Sequence, residues 1–151
     1  MKPEFPAAVP EIPVTDMNAA LDYYQNKLAF NVDWGGVDGG IAGISNGHCR
    51  IFLTAADFRA DHRNTPPVVI WLNLNSKEEV DEVYAIWNAN RARIISPPES
   101  KPWKLHEFTA SDLDGNLFRV FYDFSRDATN AEGVKTAPLT SESQFVDSRK
   151  L

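Results

Sequence analysis

His106, in the run Pro102-Trp103-Lys104-Leu105-His106-Glu107-Phe108, is the residue of this chain best suited to acid–base work. An imidazole titrates near neutrality and can take or give a proton at ordinary pH. No nucleophile or second base stands near it in the sequence, so a structural or ligand-contacting histidine is the competing reading. Asp57, Asp61 and His62 have a spacing that a surface cation site would use, and a solvated charged loop has the same composition. Cys49 follows His48 and precedes Arg50; without a positioned base it reads as a buried thiol. Gly35-Gly36 and Gly39-Gly40 flank Val37-Asp38 as in a flexible hairpin, and since no helix follows they are not a dinucleotide fingerprint.

The elements that must position these residues repeat. Val9 to Thr15 alternates as a half-buried strand does, with Pro10 and Pro13 suited to an edge. Asp16 caps a helix over about residues 17–28, with Ala20, Leu21, Tyr24 and Leu28 on one stripe. Three strands are expected over 31–34, 40–44 and 49–54, the last two joined through Asn46-Gly47, both of which tolerate positive φ. After a polar stretch ending in Pro66-Pro67 the same order recurs. Val68 to Leu74 is a strand, and Ser76 with Glu79 forms a capping box for a helix to about Asn90. Strands then follow over 93–96, 106–111 and 117–124, with a Pro-rich loop from Pro97 to Lys104 and a turn at Asp114-Gly115.

Composition excludes several function classes. Fifteen Lys and Arg against twenty-one Asp and Glu give a formal charge of −6, which opposes tracking of a phosphate backbone and mildly favours neutral or cationic partners. A single cysteine permits neither an intrachain disulfide nor a thiolate cluster, and it suits a reducing compartment. With no export signal and no apolar run of about twenty residues, the expectation is a cytoplasmic protein that binds neither membrane nor nucleic acid.

Three stretches match a known pattern: Pro13-Val14-Thr15-Asp16 leading into Ala19-Ala20-Leu21-Asp22-Tyr23-Tyr24, the run from Pro102 to Phe108, and Asp112-Leu113-Asp114-Gly115-Asn116-Leu117-Phe118-Arg119. Together, from about Val9 to Phe124, they resemble the vicinal oxygen chelate superfamily, which includes glyoxalase I, fosfomycin-resistance proteins, extradiol dioxygenases and bleomycin-resistance proteins. The resemblance implies an α+β fold of two paired βαβββ modules forming a curved, groove-lined sheet. Its expected divisions are an arm (1–8), a first module (9–54), a linker (55–67), a second module (68–124) and a polar extension (125–151).

In metal-dependent members each module gives two ligands, usually His or Glu, from its first and last strands. The corresponding positions here are Val9, Phe52, Val69 and Arg119. A divalent cation needs oxygen or imidazole donors at about 2.0–2.2 Å, so none of the four can serve. The implied expectation is no metal and no cofactor. Arg119, Trp103 and Pro10 are also similar to residues of the metal-free bleomycin-resistance proteins, dimers that sequester a bulky cationic drug.

With those four positions on one face, strand alternation adds Glu11, Pro13, Arg50, Thr54, Trp71, Asn73, Leu117 and Phe121 to it. The alternates Ile12, Val14, Ile51, Leu53, Ile70, Leu72, Phe118, Val120 and Tyr122 should pack under the helices. The groove is therefore expected to comprise Glu11, Arg50, Phe52, Trp71, Asn73, Trp103, His106, Arg119 and Phe121, with no catalytic residue assigned. Arg119 is expected to pair with Glu11 or Glu107. The leading functional expectation is a metal-independent homodimer that binds or sequesters a small aromatic or cationic ligand. The alternatives are a glyoxalase-like lyase or isomerase, a dioxygenase-related enzyme, or a non-catalytic relative in which Trp71 and Phe121 fill the groove.

Overall fold

The computed structural model describes residues 2–60 and 65–127. Asp61 and His62 of the candidate cation site, and nearly all of the polar extension, lie outside the described residues. The chain divides into two compact units, one of Met1–Val68 with Asp112–Asn116, the other of Val69–Ser111 with Leu117–Leu151.

In the first unit β1 (Glu11–Pro13), α1 (Met17–Asn26), β2 (Asn31–Gly36), β3 (Ile41–Asn46) and β4 (Cys49–Thr54) form a four-stranded sheet in the order β1-β4-β3-β2. Asp16 sits in extended conformation and accepts a hydrogen bond from the Ala19 N–H, which starts α1 by satisfying one of its orphan donors. The helix buries Met17, Ala20, Tyr23 and Tyr24, and the sheet contributes Ile12, Ala42, Ile44, Ile51 and Leu53, none more than 1% exposed. Gly47 supplies the positive φ, 60°, that the two-residue β3–β4 hairpin requires.

The second unit repeats the plan with β5 (Val69–Asn73), α2 (Lys77–Ala89), β6 (Arg93–Ser100), β7 (Leu105–Ser111) and β8 (Leu117–Asp123), in the order β5-β8-β7-β6. The capping box forms as expected: Ser76 Oγ accepts from the Glu79 N–H, and Glu79 accepts from the Asn75 N–H. Trp87 on α2 meets Phe108 and Phe118 edge to face at 5.6 and 5.9 Å between ring centroids, with Tyr84 against Phe108 at 5.5 Å. The first half of the stretch expected to be a Pro-rich loop is instead strand: β6 runs through Pro97 and Pro98 to Ser100. An edge strand tolerates both prolines because one side of its ladder is unpaired, and the register breaks between Ile94 and Ser96 and between Ser96 and Glu99 absorb the missing donors.

The turn between β7 and β8 is densely hydrogen-bonded. Asp112 and Asn116, 1% and 0% exposed, cannot be buried without partners. Asp112 Oδ1 accepts from the Asp114 and Asn116 N–H groups, an Asx-type turn closed around Gly115 at φ 87°. Asp112 Oδ2 accepts from Tyr24 Oη at 2.7 Å and from Asn116 Nδ2 at 2.8 Å. The Asn116 amide also donates to the Pro13 carbonyl and accepts from the Val68 N–H. Asp114 accepts from the Thr15 N–H.

Two predictions follow from this network. Asn116→Ala leaves the Pro13 carbonyl and the Val68 N–H without their partner, so urea unfolding should give a loss of about 3 kcal/mol; a loss under about 1 kcal/mol would show that water replaces the amide. Burial, and then the Asp112 carboxylate, push the Tyr24 phenol well above its usual range. A raised folded pKa stabilises the fold below the unfolded value of about 10 and loses that contribution as pH climbs beyond it. Stability should therefore fall on the alkaline side of about pH 10, and Tyr24→Phe should flatten that fall in denaturant midpoints measured against pH.

Candidate functional site

Each sheet turns one face to its helix, and among the described residues no helix packs on the other. In the first unit that other face is ordered by the register Glu11↔Phe52↔Gly43↔Trp34 across all four strands. Trp34, 44% exposed, stands edge to face with Phe52 at 5.3 Å between centroids. It can lie there because Gly43 has no side chain: a Cβ at that position would overlap the indole. The Arg50 guanidinium lies over the Phe52 ring at 6.0 Å. Glu11 accepts from the Thr54 hydroxyl at 2.9 Å, and Arg59 donates to the Thr54 carbonyl.

The corresponding face of the second unit is built on Trp71↔Arg119↔Thr109 and Asn73↔Phe121↔Glu107. Trp71 is half exposed, and Phe121, 3% exposed, supports it edge on at 5.4 Å. Arg119 lies over the Trp71 ring at 5.3 Å, and its Nη1 is 3.9 Å from Glu107 Oε1. Glu107 is buried, and its other oxygen accepts from Trp103 Nε1 at 3.2 Å. Trp103 is presented by a tight turn in which Lys104, at φ 71°, donates its N–H to the Lys101 carbonyl. Of the two expected partners for Arg119, its carboxylate here is Glu107.

His106 does not share this face. It precedes Glu107 on β7, so alternation turns it toward α2, where Nε2 meets Asp81 Oδ1 at 2.8 Å and Nδ1 meets Ser100 Oγ at 2.9 Å. Both ring nitrogens are engaged, which corrects its grouping with the groove and leaves it a structural link between α2, β6 and β7. Cys49 is half-buried, and burial pushes its thiol up, away from the thiolate a nucleophile needs. Tyr122 also faces the helix side; burial, followed by the Asp127 carboxylate on which its hydroxyl bonds, pushes its phenol up to about 12.

The residues present do not fit a divalent cation. Val9 and Phe52 in the first unit and Val69 and Arg119 in the second offer no donor. The carboxylates on the two faces are already engaged, Glu11 by Thr54 and Glu107 by Trp103 and Arg119. Among the described residues no three His, Cys, Asp or Glu side chains converge on a point.

Phe52 lies on the first sheet with Glu11 and Arg50 beside it, Trp71, Asn73, Arg119 and Phe121 lie on paired strands of the second, and Trp103 reaches Glu107 from the turn before β7. Trp34 escaped the sequence reading because β2 slips register between Val32 and Trp34, so simple alternation loses its phase there. The usable signal was Gly43, a glycine inside a strand, which marks close approach by a neighbour. Glu107 was visible only as a possible partner of Arg119. Among the described residues no helix is long and apolar enough to cross a membrane.

The family model for the Glyoxalase/Bleomycin resistance protein/Dioxygenase superfamily matches residues 7–120. A glyoxalase/bleomycin resistance protein/dioxygenase from Nocardioides is similar with a TM-score of 0.65 at 18% identity, covering 80% of this chain and 85% of that one. A superfamily member from Sphaerobacter thermophilus DSM 20745 has a TM-score of 0.60 at 25% identity over 77% and 97% of the two chains. Lactoylglutathione lyase from Agrobacterium tumefaciens has a TM-score of 0.63 at 18% identity over 77% and 92%. No curated protein matches the chain.

The Trp34 platform can be tested directly. Gly43→Val should expel the indole from Phe52, destabilise the chain by about 1–3 kcal/mol and shift tryptophan emission to the red; an unchanged spectrum would place Trp34 elsewhere.

Proposed function

Because the chain belongs to the Glyoxalase/Bleomycin resistance protein/Dioxygenase superfamily, in a fold that hosts many chemistries, we propose that it is a metal-independent protein that binds or sequesters a planar aromatic small molecule. One observation carries this reading. Large aromatic side chains stand exposed on sheet faces that no helix covers among the described residues, Trp71 at 50% and Trp34 at 44%, each edge on to a phenylalanine. An isolated exposed apolar residue is ordinary. Two tryptophans, each set on an aromatic support with a guanidinium over one ring of the pair, form platforms on which a flat ring can stack.

The donor chemistry argues in the same direction. Neither face supplies ligands for a cation that would polarise a substrate, and the one histidine on β7 is committed to Asp81 and Ser100. What remains is surface for stacking and a few polar groups for orientation, the usual composition of a small-molecule site. The net charge of −6 adds a mild attraction for cationic ligands at long range. The reading includes a homodimer working in the cytoplasm, for which light scattering should give twice the mass of the chain.

A thermal-shift panel of planar aromatic compounds, cationic and uncharged, checks the proposal. At least one should raise Tm by several degrees at a hundredfold excess over its Kd, since such binding adds about 2.7 kcal/mol. No shift from any of them would count against sequestration. Near-stoichiometric zinc, nickel, manganese or iron surviving a chelator wash would instead favour an enzyme.

A further inference from the structure

The second unit's face carries an orienting device that its ion pair does not use up. Arg119 is held in place by Trp71 and by the buried Glu107, yet the Nη1 to Oε1 separation of 3.9 Å is an ion-pair distance beyond hydrogen-bond reach. Among the described residues the Arg119 guanidinium makes no hydrogen bond, although it has five N–H donors in a planar fork. Its side chain is 37% exposed, so those donors are open to a ligand. Asn73 lies on the same face, exposed, with its side-chain amide likewise unbonded among the described residues. Glu107 cannot turn away to serve another group, because its second oxygen is held by Trp103.

We infer that this face selects a planar aromatic ligand bearing an oxygen acceptor on the ring, a carboxylate most strongly, with the ring on Trp71 and the acceptor on Arg119. The inference rests on the proposed binding function and names its ligand class. A guanidinium donates two parallel bonds to a carboxylate, a geometry an ammonium ligand cannot use. The net charge of −6 does not reverse this preference. At physiological ionic strength the Debye length is about 8 Å, so distant carboxylates are screened while a contact with Arg119 is not. Glu107 neutralises the guanidinium in part, so a carbonyl is also accepted, less tightly than a carboxylate.

Titration of the full chain with 2-naphthoate, 2-naphthamide and 2-naphthylmethylammonium, read by tryptophan quenching, tests this. The expected order of affinity is naphthoate, then amide, then ammonium, with roughly tenfold or more between the first and last. Arg119→Gln should abolish that ratio while leaving the amide's affinity within a few fold. Arg119→Lys, which keeps the charge but loses the fork, should retain only part of it. Equal binding of all three, tighter binding of the ammonium, or a ratio unchanged in Arg119→Gln overturns the ligand class and leaves the aromatic-binding function standing. If none of the three quenches up to millimolar concentration, the stacking platform itself is refuted and this inference with it.

Discussion

The fold depends on a buried polar knot. Asp112 and Asn116 are almost wholly removed from water, and each would be costly there without partners. Between them they bind Tyr24 on α1, the Pro13 carbonyl at the end of β1, the Val68 N–H just before β5, and two N–H groups of their own turn. Asp112–Asn116 and these partners all belong to the first unit. The Asp-x-Asp-Gly-Asn run, expected from the sequence as a turn, owes its residue types to this bonding. Its carboxylates accept from backbone N–H groups, a phenol and the Asn116 amide.

The same economy of positions explains the two uncovered faces. Each sheet commits one set of alternating side chains to its helix, Ile12, Ile51 and Leu53 in the first unit and Phe108, Phe118 and Val120 in the second. The other set is free to be polar or aromatic. At Val9, Phe52, Val69 and Arg119 aliphatic, aromatic and cationic residues stand where a metal would need oxygen or imidazole donors, so what these faces present is aromatic surface and hydrogen-bonding groups. Arg119 is the clearest case. It occupies a ligand position with the wrong charge for a metal, and Glu107 and Trp71 fix it without consuming its donors.

Histidine 106 shows how one residue of phase decides a role. It and Glu107 are neighbours in sequence and both are chemically capable. Alternation sends Glu107 to the uncovered face and His106 to α2, where Asp81 and Ser100 hold its ring. Reactivity as a residue type therefore says little until the face is known.

The order of elements was legible because its signals are local: the Asp16 and Ser76 caps, the Asn46-Gly47 hairpin, the apolar stripes of α1 and α2, and strand alternation that set Phe52 apart from Ile51 and Leu53 in the first sheet and Trp71 and Arg119 apart from Phe118 and Val120 in the second. Tertiary structure alone decided what depends on register and on neighbours distant in sequence. The slip in β2 brought Trp34 over Gly43, the edge position of β6 allowed a strand through Pro97 and Pro98, and the pairing of β7 with β8 set Glu107 beside Arg119. Propensity and periodicity act over a few residues, whereas a bulge or a cross-strand partner is fixed by the energy of the assembled sheet. The sequence by itself thus determined the repeated module and the absence of metal donors at four positions, and the folded sheet decided which side chains share an exposed face.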